Sequence, residues 1–192
     1  MVDQAKKQNK NNKVNGVHAA VVGGIDPGLR HPAVCVARSG ASGFEFELVS
    51  VQPKLRGAAR LDYIAQAVLA PLRAAGVRFV AIEGYSYHSI GRLCQLGEVG
   101  GVLRRDLWGA GIQYAELSPA ELKKFVSGKG SASKETMIHS VLQHYGVDTE
   151  DDDDLADAVG LAVFARVLLS GNSSRRCELE VVKRFSDRRR AS

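Results

Sequence analysis

The sequence predicts one α/β domain with polar, basic ends. Three features predict it. Short apolar runs close on turn residues, longer stretches repeat their apolar positions at helical spacing, and 45% of the 192 residues are hydrophobic. That fraction can fill a core and is incompatible with wholesale disorder.

Residues 1–16 (MVDQAKKQNKNNKVNG) have no apolar periodicity and are expected to be disordered; without an apolar segment they do not read as a secretory signal. Residues 18–25 form a buried strand ended by the turn residues Asp26-Pro27-Gly28. Residues 33–38 and 44–51 read as two more strands, joined by the hairpin-type loop SGASG. Over residues 55–75, Leu61, Ile64, Ala65, Val68 and Leu72 lie at helical spacing, and Gly76 stops the helix. Pro71 is expected to kink or end it.

A strand at 77–82 closes on Glu83-Gly84. Residues 91–108 read as a helix whose Gly97, Gly100 and Gly101 would let a neighbouring helix come close. Residues 112–117 are a strand, and Ser118-Pro119 is an N-cap with proline at the first helical position. Residues 133–145 form a helix stopped by Gly146, and 154–169 form the last one. The order is βββαβαβαα, without internal repeat.

Charge is distributed unevenly. Residues 1–16 hold four Lys and one Asp, a net +3, and residues 171–192 hold seven Lys or Arg against three acids, a net +4. Between the ends, Glu150, Asp151, Asp152, Asp153, Asp154 and Asp157 concentrate six negative charges in eight positions. Basic ends attract polyanions, but a nucleic acid would be repelled by that cluster unless cations sat on it. Apolar stretches such as 158–165 are far shorter than the roughly 18 residues of a membrane span. Three cysteines, Cys35, Cys94 and Cys177, suit a reduced, cytoplasmic compartment better than a disulfide scaffold. There is no zinc motif of the CxxC type.

Three acidic sites share a structural setting. Asp26 ends the first strand, Glu83 ends the fourth, and Asp154 and Asp157 open the last helix, three apart and so on one face. If the first and fourth strands are parallel neighbours, these carboxylates meet at one sheet edge. Carboxylates held close raise one another's pKa unless a cation compensates. Hard divalent ions prefer such oxygen donors, and two of them about 4 Å apart can clamp both oxygens of an in-line phosphoryl displacement. Each residue has a plainer alternative: turn chemistry for Asp26, solvation for Glu83, and capping for Asp151, Asp152 and Asp153. Asp157, a turn further into an apolar helix, fits capping least.

Four segments carry a resemblance: GIDPG (24–28), AIEGYSY (81–87), GSASK (130–134) and DLADAVGLA (154–162). In this order and spacing they resemble the RuvC family of Holliday-junction resolvases, in the RNase H-like superfamily, over residues 20–168. The resemblance implies an RNase H-like mixed five-stranded sheet flanked by helices on both faces, with polar ends at 1–16 and 171–192. It implies that Asp26, Glu83, Asp154 and Asp157 bind metal, that Lys134 lies near the scissile phosphate, and that Lys123 is a second supporting lysine. It places an aromatic that stacks on a junction base in the loop holding Tyr85, Tyr87 and His88, with Tyr87 favoured, and a dimer interface on the helix at 91–108. Leu29 and His31-Pro32 depart from the family pattern, and the basic ends point to a phage-type or divergent member with looser, charge-driven DNA binding.

The expectation is a homodimeric endonuclease using two Mg²⁺ ions, or Mn²⁺, to cut branched DNA and leave 5′-phosphate and 3′-hydroxyl ends. No organic cofactor is implied, and no helicase partner can be named. The rival expectations are an RNase H-like nuclease acting on RNA or RNA–DNA hybrids, and a catalytically silent junction-binding protein.

Overall fold

The computed structural model describes residues 21–40, 43–85 and 93–191. The segment expected to be disordered (1–16), the first residues of the first strand, the centre of the hairpin loop, Tyr87 and His88 lie outside the described residues.

Five strands, β1 (Val22–Asp26), β2 (Ala33–Gly40), β3 (Gly43–Ser50), β4 (Phe79–Glu83) and β5 (Gln113–Leu117), form one mixed sheet in the order β3-β2-β1-β4-β5. β1, β2 and β3 pair antiparallel in sequence order. β4 pairs with β1 in parallel, matching Ile25 with Ile82, and β5 pairs with β4 in parallel. The parallel partnership of β1 and β4 is the arrangement on which the carboxylate edge depends. Strand residues alternate between the faces. Ile25, Val80 and Ile82 pack with α1 (Gly57–Ala74) and α2 (Leu93–Gly109), while Val22, Ala81 and Leu117 pack on the other side with the remaining helices.

α1 runs through Pro71 to Ala74 instead of ending there. Val68, Leu69 and Leu72 are buried around the proline, so packing outweighs the lost hydrogen bond. Gly76 takes φ +68° and ends the element as expected.

The second face is covered by α3 (Pro119–Ser127), α4 (Lys134–Tyr145) and α5 (Asp153–Ser170). Ser118 and Glu121 form a capping box at the start of α3, with the Ser118 amide donating to Glu121 Oε2 at 3.2 Å. α5 is apolar all round and lies inside the domain: ten of its residues, from Ala156 to Val167, are buried.

The order βββαβαβαααα has two helices more than expected. One is α3, whose start at Ser118-Pro119 is legible. The other is a correction: most of the basic stretch at 171–192, taken as a tail outside the domain, is a helix, α6 (Arg176–Ala191). Its Val181 and Phe185 are buried in the same core as α5, and the Phe185 ring meets Phe164 edge-on at 5.3 Å. Tyr145, Ser173 and Arg175 all donate hydrogen bonds to the buried Glu178 carboxylate, at 2.9, 2.5 and 2.9 Å. Such a network leaves one seating for the helix, because a shifted one would strand a buried charge. Among the described residues, no helix is long and apolar enough to cross a membrane.

Candidate active site

β1 turns Val22, Gly24 and Asp26 toward α5. A Cβ at Gly24 would stand 2.1 Å from the Ala158 carbonyl oxygen and 2.4 Å from the Ala162 amide nitrogen, so α5 rests with its backbone on β1. Only glycine permits that approach. It brings Asp157, next to Ala158, and Asp154, one turn earlier, to the strand end that carries Asp26. Glu83 follows Ile82 on the neighbouring parallel strand. Gly160 performs a similar service on the other flank of α5: a Cβ there would lie 2.5 Å from Val126 and 3.0 Å from Leu122, so α3 closes in and carries Lys123 toward the acids.

The approach to the last helix is strained. Glu150 and Asp151 have φ of 52° and 63°, a left-handed conformation costing about 1 kcal/mol or more per non-glycine residue. It lets Asp152 cap α5, accepting from the Leu155 amide at 3.0 Å. Capping thus falls to Asp152. Its neighbour Asp153 pairs with Lys134, the first residue of α4.

The four acids are electrically one unit. Asp26, 7% exposed, is held well above the usual carboxylate range, first by burial and then by the charges of Glu83, Asp157 and Asp154. Glu83 is pushed up to about 8 by burial and then Asp157, with Lys123 pulling it down. Asp157 is pushed up to about 7 by burial and then Asp153, against Lys123 and Lys134. Burial, then Asp153 and Asp152, also raise Asp154. Asp26 hydrogen-bonds Asp154 and Glu83, raising its own pKa against Asp154 and lowering those of both partners. Buried among three other acids, the Asp26 carboxyl resists ionisation.

Among the described residues, no three His, Cys, Asp or Glu form, as placed, a group that could hold a metal ion. The cluster is instead a set of oxygen donors that repel one another and retain protons. This is the chemistry that a hard cation relieves, and catalytic sites for such ions keep open positions. In that respect the chemistry of the donor set suits a hard divalent ion. Lys134 is mostly exposed and its pKa is raised, first by its bond to Asp153, while Asp154 and Asp157 also attract it.

Tyr85 lies apart from this chemistry. The Arg104 guanidinium covers its ring at 4.7 Å and donates to its hydroxyl at 2.9 Å, while the hydroxyl donates to the Gly97 carbonyl at 3.4 Å. Arg104 also grips Glu116 through two bonds of 3.1 and 2.7 Å. Gly100, expected to admit a neighbouring helix, makes room for this ring: a Cβ there would be 2.5 Å from the Tyr85 hydroxyl.

Sequence reasoning missed Asp153 as the partner of Lys134 and as the strongest charge influence on Asp157. Nothing in a run of four aspartates distinguishes the one that meets α4. It also missed Arg104 and Glu116, whose tie to Tyr85 is visible only in the fold.

Comparison with known proteins bears on the same stretch of chain. Residues 21–165 match the family model for crossover junction endodeoxyribonuclease RuvC. The crossover junction endodeoxyribonuclease RuvC of Hyphomonas neptunium is 32% identical over 153 residues, covering 74% of this chain and 87% of that protein. The Thermus thermophilus RuvC structure superposes with a TM-score of 0.64 at 26% identity, covering 79% of this chain and 96% of that one. T. thermophilus RuvC in complex with Holliday junction substrate superposes at 0.62 with 27% identity, covering 75% and 91%. Nucleases of this family depend on metal. The fold is RNase H-like, and an acidic edge built by β1, β4 and α5 lies inside the matched stretch: the chain belongs to the RuvC family of crossover junction endodeoxyribonucleases.

Proposed function

We propose that this chain resolves four-way and other branched DNA junctions by paired, symmetric nicks through metal-assisted phosphodiester hydrolysis. One observation carries the reading: four carboxylates from three separate elements are forced together at one sheet edge, where Lys123 and Lys134 only partly offset their charge. Keeping such repulsion buried destabilises the fold, and a catalytic cation site gives it a use.

Asp26, Glu83, Asp154 and Asp157 would hold two Mg²⁺ ions, or Mn²⁺, which when bound activate water and stabilise the leaving oxygen. A bound cation would favour the ionised form of Asp26, offsetting the burial and neighbouring charges that raise its pKa. Lys123, between Glu83 and Asp157, keeps those two closer to ionisation. Lys134, at the exposed margin, is placed to offset charge developing on the phosphate oxygens. Base stacking is assigned to Tyr87, since Arg104 occupies one face of the Tyr85 ring.

Symmetric nicking needs two copies. The outer face of α2 carries Cys94, Glu98, Gly101, Arg105 and the 81% exposed Trp108, a stripe with a small residue at its centre and an aromatic anchor at its end, suited to self-association about a two-fold axis. The chain with Mg²⁺ is expected to nick a synthetic four-way junction symmetrically, and Asp26→Asn, Glu83→Gln or Asp157→Asn to stop cutting while binding persists. Binding without cutting in the presence of metal would establish a silent junction binder, and preference for an RNA–DNA hybrid would establish the rival nuclease.

A further inference from the structure

The resolvase reading leaves α6 without a role. The helix follows the stretch matched by the family model, which ends at residue 165. It nevertheless has a single seating, set by Val181, Phe185 and the bonds around Glu178.

Its direction is informative. Arg175 Nη2 donates to the Val126 carbonyl at 2.7 Å, Cys177 Sγ to the Phe125 carbonyl at 3.6 Å, Glu180 pairs with Lys124 at 3.5 Å, and Arg188 pairs with Glu121 at 2.6 Å. Rising numbers in α6 meet falling numbers in α3, so the two helices are antiparallel. α3 starts directly after β5, which runs parallel to β4 and hence to β1. Its first turn therefore lies at the sheet edge that carries Asp26 and Glu83. α6, running the opposite way, returns its last turns to that same edge.

Those turns carry Lys183, Arg184, Arg188, Arg189 and Arg190 against a single acid, Asp187. Arg188 is engaged with Glu121. Arg184, Arg189 and Arg190 are exposed, and among the described residues none has a carboxylate within ion-pair distance. Cations at a helix C-terminus complement the macrodipole, but only within the last turn, and Arg184 lies two turns from the end.

We propose that the C-terminal end of α6 is a fixed DNA-backbone clamp, in which Arg184, Arg189 and Arg190 hold phosphates flanking the scissile one. The proposal rests on the resolvase reading for its ligand and adds a surface to it. α3 separates the clamp from the acids by one helix diameter, about 10 Å, which at 3.4 Å rise per nucleotide places the held phosphates about three nucleotides away. A helix locked by a buried network pays little ordering cost on binding, unlike a loose basic tail.

Salt dependence tests it. Binding of a fixed four-way junction is followed by fluorescence anisotropy from 50 to 200 mM salt, with a chelator present so that cutting does not intervene. Each phosphate contact contributes about 0.9 to the slope of log affinity against log salt. Substituting Arg184→Gln, Arg189→Gln and Arg190→Gln together is expected to flatten the slope by about 2.7. Across that fourfold salt range the loss of affinity then becomes about fortyfold smaller than in the parent. The three Arg→Lys changes keep the charge and are expected to retain most of the slope. Arg73→Gln with Arg78→Gln, exposed at the opposite end of the sheet where α1 ends and β4 begins, serves as the control and is expected to leave the slope alone. An unchanged slope in the triple Gln variant, or an equal loss in the control, overturns the clamp. Cutting by the parent chain with Mg²⁺ is scored separately: junction binding without cutting sinks the nuclease reading but leaves the clamp to be judged on its slope.

Discussion

Asp157→Asn is expected to make the metal-free protein more stable, increasingly so as pH rises. The Asp157 carboxyl, ordinarily near 3.8, sits at about 7 in the folded chain because burial and then Asp153 oppose its charge. Below about pH 4 both folded and unfolded chains keep the proton. Above that the unfolded chain ionises freely while the folded chain resists until about pH 7. Folding stability therefore falls through this window by about 1.4 kcal/mol per pH unit, to a total near 4 kcal/mol. Asparagine has no such dependence, so the advantage of the variant over the parent should grow by about 3 kcal/mol between pH 5 and pH 8. Glu83 reinforces the trend, because Asp157 is the leading charge that raises it. Urea melts in a chelator at pH 5, 6, 7 and 8 measure the difference. Adding Mg²⁺ should reverse the order: ligation at a hundredfold excess over its dissociation constant stabilises the parent by about 2.7 kcal/mol, while the variant has lost a ligand. A stability difference independent of pH, or a variant that becomes relatively weaker at pH 8, would refute the claim that these acids meet as a buried, repelling set.

Two further expectations concern how the site is held. Gly24→Ala should cost at least about 3 kcal/mol in urea melts and abolish cutting, because the added methyl overlaps backbone atoms of α5 and not a movable side chain; a variant as stable as the parent would show that α5 is not seated on β1. Phe185→Ala should cost about 3–5 kcal/mol and lower the melting point of the whole domain in one transition, since the ring is buried against Phe164. A separate, earlier transition would show that α6 is an appendage.

The strands and most helices were legible because their signals are local. The run before Asp26, the glycines at 76 and 146, and the Ser118-Pro119 start each act on their immediate neighbours. Asp26 and Glu83 stood out for the same reason, as acids where an apolar strand stops. α6 was hidden by its composition. Six of its sixteen residues are Lys or Arg and three are acids, and the apolar stripe of Val181, Val182 and Phe185 is too thin to announce a packed helix. Its partners, Phe164, Tyr145 and Val126, lie 21 to 49 residues before the residues they meet. Pro71 misled for the complementary reason, a strong local signal overridden by buried neighbours.

By itself the sequence determined which residues could do the chemistry: four acids, two lysines and the aromatics after Glu83, set in an α/β order that matches one family. Only the tertiary structure decided that Asp26 is buried against three other acids, that Lys134 answers to Asp153, that Arg104 holds Tyr85, and that the basic C-terminal stretch is a docked helix aimed at the acidic edge. The reason is range. Periodicity, capping and turn chemistry act within a few residues, whereas desolvation and charge coupling depend on which distant segments are pressed together. Here that was settled by the absent side chains of Gly24 and Gly160.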